Sequence, residues 1–152
     1  MNIVLLNPEI PYNTGNIGRT SVLTNTKLHL IKPLGFSLDE KQLKRAGLDY
    51  WHLVDLVIWE SYEEFMEANK GARIFYATTK TKQRYSDIEF KEGDFVMFGP
   101  ESRGIPEDIL NAHKENCITI PMIDMGRSLN LSNSAAIILY EALRQTDFNF
   151  KK

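Results

Sequence analysis

Short apolar runs alternate with amphipathic and polar stretches along the whole chain. Residues 2–6 (NIVLL), 28–31 (LHLI), 53–59, 73–79, 94–98 and 117–120 read as strands with few polar interruptions. Between them the pattern predicts helices over 17–25, 38–46, 61–69, 107–113 and 131–145. Local signals set several of the boundaries. Pro33 and Gly35 close the second strand. Ser37 is placed to cap the 38–46 helix and Gly47 to stop it. Ser61-x-x-Glu64 has the form of a capping box, and Pro106 suits the first turn of a short helix. Strands alternating with helices predict an α/β fold, a mainly parallel sheet with helices on both faces. The 152 residues fit one domain, 1–152, with no internal repeat or linker. The last residues, DFNFKK, are expected to be a loose end.

The 131–145 helix departs from the pattern of a surface helix. Ala135, Ala136, Ile137, Ile138 and Leu139 are consecutive, where one apolar stripe would suffice. Such a helix is either fully buried or covered on its second side by another subunit. The small residues at 132–136 favour the second reading, because they allow close approach.

Composition narrows the class. Hydrophobic residues make up 43% and charged residues 25%, as in a soluble globular protein. No apolar stretch approaches the roughly 18 residues of a membrane span. MNIVLLNPEI lacks the features of a signal peptide. Cys117 is the only cysteine, which excludes an intramolecular disulfide and suits a cytoplasmic location. A net charge of −2 argues against a nonspecific nucleic-acid coat but allows a local basic face. Lys41, Lys44 and Arg45 on one predicted helix, and Lys80, Lys82 and Arg84 in one loop, are the candidates. A solvated surface accounts for them as simply.

Three loop segments carry candidate chemistry. Asn13-Thr-Gly-Asn-Ile-Gly-Arg19 reads as a Gly-rich turn between the first strand and its helix, where free N–H groups attract anions. Phe98-Gly99-Pro100-Glu101-Ser102-Arg103-Gly104-Ile105-Pro106 follows another strand. Its Gly99 permits close backbone approach to a flat ligand, and Glu101 and Arg103 fall at the strand's carboxyl edge. Arg127-Ser128-Leu129-Asn130-Leu131-Ser132-Asn133 leads into the last helix. Taken singly, each also fits a structural turn, an ion pair or a helix cap. Together, as loops that follow strands, they can converge at one edge of a compact sheet.

Other chemistries find no support. The dinucleotide pattern G-x-G-x-x-G and the Gly-Lys-Ser/Thr of a P-loop are absent. His29, His52 and His113 lack metal-ligand spacing, so no metal is expected. Cys117 lies in an apolar strand and reads as an inert core thiol. No G-x-S-x-G elbow occurs.

In order and spacing, the three segments resemble the signature motifs of the SPOUT class of S-adenosylmethionine-dependent RNA methyltransferases, most nearly the small TrmL (YibK-like) branch. The likeness extends through PEIPYNTGNIGR, LIKPLGF, KRAGLDYW, MFGPESRGIP and IPMIDMGRSLNLSNSAAIILYEALRQ. The resemblance implies a deep trefoil knot in the C-terminal part of the sheet, against the general rarity of knots. It implies 2′-O-methylation of the ribose at tRNA position 34, leucine tRNAs above all, with S-adenosylhomocysteine as the second product. It also implies a homodimer. Carried over by position, the cofactor contacts are Ala77, Thr78, Gly99, Ile120, Ser128 and Leu129, and the catalytic set is Asn13, Arg19, Glu101, Ser128 and Asn130. Arg19, Tyr140, Lys44 and Arg45 are the expected RNA contacts, with Arg19 reaching toward the partner's cofactor. Competing readings are methylation at another tRNA or rRNA position, a non-catalytic RNA-binding dimer, and a Rossmann-like oxidoreductase.

Overall fold

The computed structural model describes residues 1–39 and 49–150. Six strands form one sheet in the order β3-β2-β1-β5-β4-β6, and every pairing between them is parallel. They are β1 (Asn2–Leu6), β2 (Lys27–Ile31), β3 (Leu56–Trp59), β4 (Ile74–Ala77), β5 (Phe95–Phe98) and β6 (Cys117–Ile118). The described helices are α1 (Pro11–Thr24), α2 (Tyr62–Ala68), α3 (Glu107–Ala112) and α4 (Leu131–Gln145). Of the predicted 38–46 helix, residues 40–46, with Lys41, Lys44 and Arg45, lie outside the described residues.

The two-residue period of the strands sorts the core into two layers. Ile3 and Leu5 of β1 face Ile17 of α1 and Ala135, Ile138, Leu139, Ala142 and Leu143 of α4. Val4 and Leu6 face the opposite way, toward Phe65 of α2 and Leu110 of α3. Both faces are therefore covered, which is why the strands read as nearly continuous apolar runs.

Several boundaries differ from the sequence reading. The helix expected over 17–25 begins at Pro11, so Asn13–Arg19 is helical and not an anion-binding turn. Proline suits the first helical position because its missing N–H would have no partner there. Gly15 and Gly18 sit inside this helix, and packing explains Gly18: a Cβ there would lie 2.8 Å from the Trp51 ring. The 53–59 run divides into a 3-10 turn at Trp51–Leu53 and β3. The 117–120 strand shortens to two residues, continued by an isolated bridge between Arg84 and Thr119. Ser61 caps α2 by accepting from the Glu64 N–H, while the Glu64 carboxylate reaches back to Glu60 instead of Ser61. The tail is docked as far as Phe150, whose carbonyl accepts from Asn25 Nδ2 at 2.8 Å.

Most of the apolar run of the last helix is covered within its own chain. Ala135, Ile138 and Leu139 are buried in its own core. Ile137 and Tyr140 face outward at 37% and 45% exposure. They continue a stripe with Asn133 and Arg144, and on the neighbouring α1 Tyr12, Asn16, Arg19 and Leu23 form a matching exposed stripe.

Candidate active site

A cleft of about 610 Å³ opens where the chain leaves β4, β5 and β6. Its walls are Ala77–Lys80, Phe98–Ile105, Ile118–Ile120 and Arg127–Leu131, closed on one side by Ile10 and Asn13 at the start of α1. This is the carboxyl edge of a parallel sheet, beside β1, where the strand order reverses. Much of the wall is loop backbone. At Gly99 an added Cβ would lie 2.8 Å from the Gly104 carbonyl oxygen and closer still to Gly104 C and Ile105 N. The loop therefore folds flat onto the glycine.

One continuous hydrogen-bond chain joins the three motifs. Glu101 accepts from the N–H groups of Glu9 (2.8 Å) and Ile10 (2.9 Å) and from Asn13 Nδ2 (3.2 Å). Asn13 Oδ1 accepts from Asn130 Nδ2 at 3.0 Å. Asn130 Oδ1 accepts from the Ser132 N–H (2.9 Å) and hydroxyl (2.6 Å), which caps α4. The capping reading of Asn130 thus holds alongside its place in the cleft: one oxygen caps and the amide nitrogen links. Asn13 is 5% exposed, so the buried end of this bond is shielded, while Asn130 sits at the exposed rim of the cleft. Glu9 returns the clasp. Its carboxylate accepts from the Ser102 N–H (2.8 Å) and hydroxyl (3.0 Å) and is held below the usual carboxylate range by those bonds.

Ala77, Thr78, Gly99, Ile120, Ser128 and Leu129 all line the cleft, as do Asn13, Glu101, Ser128 and Asn130. Arg19 does not. It lies on the exposed stripe of α1, with its guanidinium carbon 4.8 Å above the Tyr50 ring. The Tyr50 hydroxyl donates to the Gly15 carbonyl at 2.6 Å. Tyr140 is likewise outside the cleft, on the parallel stripe of α4. In the basic loop, Lys80 lines the cleft and pairs with Glu107, and Arg84 pairs with Asp87 at 3.2 Å. Cys117 is buried, its thiol donating to the His113 carbonyl at 3.4 Å, with burial pushing its pKa up. Among the described residues no His, Cys, Asp and Glu group could hold a metal.

Sequence reasoning missed Glu9, Ser102 and Tyr50. Glu9 and Tyr50 lie in the quoted PEIPYNTG and AGLDYW segments. Nothing local showed that an acidic residue in one loop would grip a turn 93 positions away.

The SpoU rRNA Methylase family model matches residues 1–140, and the chain belongs to that family. The tRNA (cytidine(34)-2'-O)-methyltransferase of Methylovorus glucosotrophus is 55% identical over 148 residues, covering 97% of this chain and 96% of the relative. A solved structure concerned with 2-OH methylation of C/U34 on tRNA superposes with a TM-score of 0.89 at 46% identity, covering 96% of this chain and 95% of that one. The methyltransferase AviRb of Streptomyces viridochromogenes, crystallised with AdoMet, shares the fold at a TM-score of 0.81 and 22% identity, over 97% of this chain and 60% of that one.

Proposed function

We propose that the chain is a methyltransferase that uses S-adenosylmethionine to methylate the ribose 2′-oxygen of nucleotide 34, the wobble position of tRNA. The observation that carries this is the Glu101–Asn13–Asn130 chain along the wall of a backbone-lined cleft. Near-full-length relatives at about half identity name the same reaction.

The cleft suits the cofactor. Its volume falls within the roughly 300–1,000 Å³ typical of small-molecule sites. Ile120 and Leu129 offer apolar surface for a nucleoside, while Thr78, Ser128 and loop backbone offer polar partners. When bound there, the sulfonium supplies an electrophilic methyl group. The protein's task is then to align the 2′-oxygen and manage its proton. Glu101 is a strut in this scheme, because its oxygens already accept from three donors. Arg19 retains its proton and supplies a planar fork of donors, suited to a phosphate and to a developing alkoxide.

Arg19 and its own cleft are separated, so we place a second subunit across the α1 and α4 stripes. The exposed Tyr12, Leu23, Ile137 and Tyr140 support this homodimer, in which Arg19 of one subunit serves the other's cofactor. Tyr140 would then lie near the RNA path. Lys44 and Arg45 remain proposed RNA contacts outside the described residues. The C-terminal part is proposed to be tied as a deep trefoil knot. Leucine tRNAs are the proposed substrates and the cytoplasm the proposed compartment.

The test is incubation of the purified protein with S-adenosylmethionine and leucine tRNA transcripts, followed by nuclease mapping and mass spectrometry. A 14-dalton increase on the nucleotide-34 fragment is expected on chemical grounds, since one hydrogen is replaced by a methyl group. Methylation confined to another position would refute the assignment.

A further inference from the structure

We propose that Glu9 is a positioning residue for methyl transfer: its carboxylate ties down the 101–104 turn so that Glu101 can hold the Asn13–Asn130 pair. This rests on the function proposed above. Glu9 does not line the cleft. It stands behind the first motif, and its backbone is backed by Gly35, where an added Cβ would lie 2.8 Å from Glu9 Cα and 2.9 Å from Glu9 O. The Gly35 N–H also donates to the Pro8 carbonyl at 2.8 Å. The Glu9 side of the clasp is therefore firm.

The other side is not firm by itself. Ser102, Arg103 and Gly104 are exposed, and the backbone bonds of this tip are those from Arg103 and Gly104 to the Pro100 carbonyl. Glu9 adds two bonds at Ser102, both to a charged acceptor and therefore strong. Glu101 grips in the opposite direction, on the Glu9 and Ile10 N–H groups. Two carboxylates on segments about 90 residues apart each hold the other's backbone. Ser102 directly follows Glu101, so slack at Ser102 passes straight to the Glu101 backbone. Opening the Glu9 clasp should thus loosen Glu101 from Ile10 and Asn13, although neither Glu101 nor its donors at Ile10 and Asn13 have changed.

The proposed cofactor contact at Gly99 does not depend on this clasp, which holds the part of the cleft wall at Glu101 and Ser102. Gly99 is packed against Gly104 and Ile105 by backbone contact, and Ile105 is 3% exposed. The two roles can therefore be separated by experiment. Glu9→Ala and Glu9→Gln are compared with the wild type for kcat on tRNA at saturating cofactor, for S-adenosylhomocysteine affinity by calorimetry, and for amide hydrogen exchange. In Glu9→Ala, kcat should fall by roughly ten- to a hundred-fold, the range for a group displaced by about an ångström. Cofactor affinity should stay within about twofold, as for an independent site. Glu9→Gln keeps one acceptor oxygen and should fall between. The Ile10 amide should exchange faster in Glu9→Ala, even though its acceptor, Glu101, is intact.

Unchanged kcat, or an unchanged Ile10 exchange rate, would overturn the proposal. Parallel loss of kcat, cofactor affinity and thermal stability would overturn it too, since Glu9 would then be plainly structural. If the wild type methylates no tRNA, the proposed function fails. The exchange measurement then decides the Glu9 clasp alone.

Discussion

Gly99→Ala is the substitution whose consequence the geometry fixes most tightly. The new methyl would sit 2.8 Å from the Gly104 carbonyl oxygen and closer to Gly104 C and Ile105 N, where carbon contacts settle at about 3.5–4.0 Å. All three neighbours are backbone atoms, so no side chain can swing away. The 104–105 segment must retreat by about an ångström, and Ile105, buried between the sheet and α3, resists. Overpacking of this kind costs about 1–3 kcal/mol. For a chain of this size that lowers Tm by roughly 2–12 °C. The larger effect should fall on binding, because the displaced segment is a wall of the cleft. S-adenosylhomocysteine affinity, measured by calorimetry well below the variant's Tm, should drop at least about tenfold, the equivalent of 1.4 kcal/mol. Wild-type affinity together with an unchanged Tm would show that the loop yields freely and that Gly99 is not needed for close packing.

Arg19→Ala should abolish methyl transfer while leaving cofactor affinity nearly intact, because the proposed cofactor contacts lie on the loops after β4, β5 and β6 and the Arg19 donors suit phosphate and alkoxide oxygens. Arg19→Lys should also be poor, since a point charge cannot replace a planar fork. Equal loss of turnover and cofactor affinity would make Arg19 a cofactor ligand instead. Asn130→Ala removes the cap of α4 and the partner of Asn13; a loss of about 1 kcal/mol from the cap, read by chemical denaturation, should accompany a larger fall in turnover. Thermal stability should decline as pH falls from about 6.5 to about 4, because of His29. That ring is pushed down to about 4 by burial and by Lys27, against the opposing charge of Asp55. Its Nδ1 accepts from Trp59 Nε1 and its Nε2 contacts Asn2 Oδ1, which requires the neutral ring. Below the ordinary value the unfolded chain takes up a proton that the folded chain refuses, so stability is lost until the folded pKa is reached. His29→Asn should flatten that slope, and an equal slope in the variant would show that other groups set it.

The strands and their order of appearance were legible because nearly every one is buried on both faces, leaving apolar runs that need no partner to be seen. The α4 boundaries were legible for a different reason: Asn130 is a cap and its signal is local. The start of α1 was not, because glycines inside a helix argue against it, and Trp51 compensates for Gly18 from 33 positions away. The apolar run at 135–139 left open which of its residues would face a partner, and Ile138 is fully buried in its own chain. The outward positions are Ile137 and Tyr140, a distinction the composition of the run could not make. Ile138→Asp would therefore report on folding, whereas Ile137→Asp addresses the proposed interface. The cleft residues of the second motif were recoverable because it lies just after β5, and those of the third because it runs into the Asn130 cap of α4. The polar chain through Asn13 was not, since it depends on side chains 88 and 117 positions apart.

The most direct test of the central claim is transfer of labelled methyl from S-adenosylmethionine to two leucine tRNAs that differ by a single atom. One carries the ordinary ribose at nucleotide 34, the other a 2′-deoxyribose there. If the protein methylates the wobble 2′-oxygen, the first should be labelled and the second should take up nothing while still binding. Equal labelling of both would place the methyl elsewhere and contradict the account.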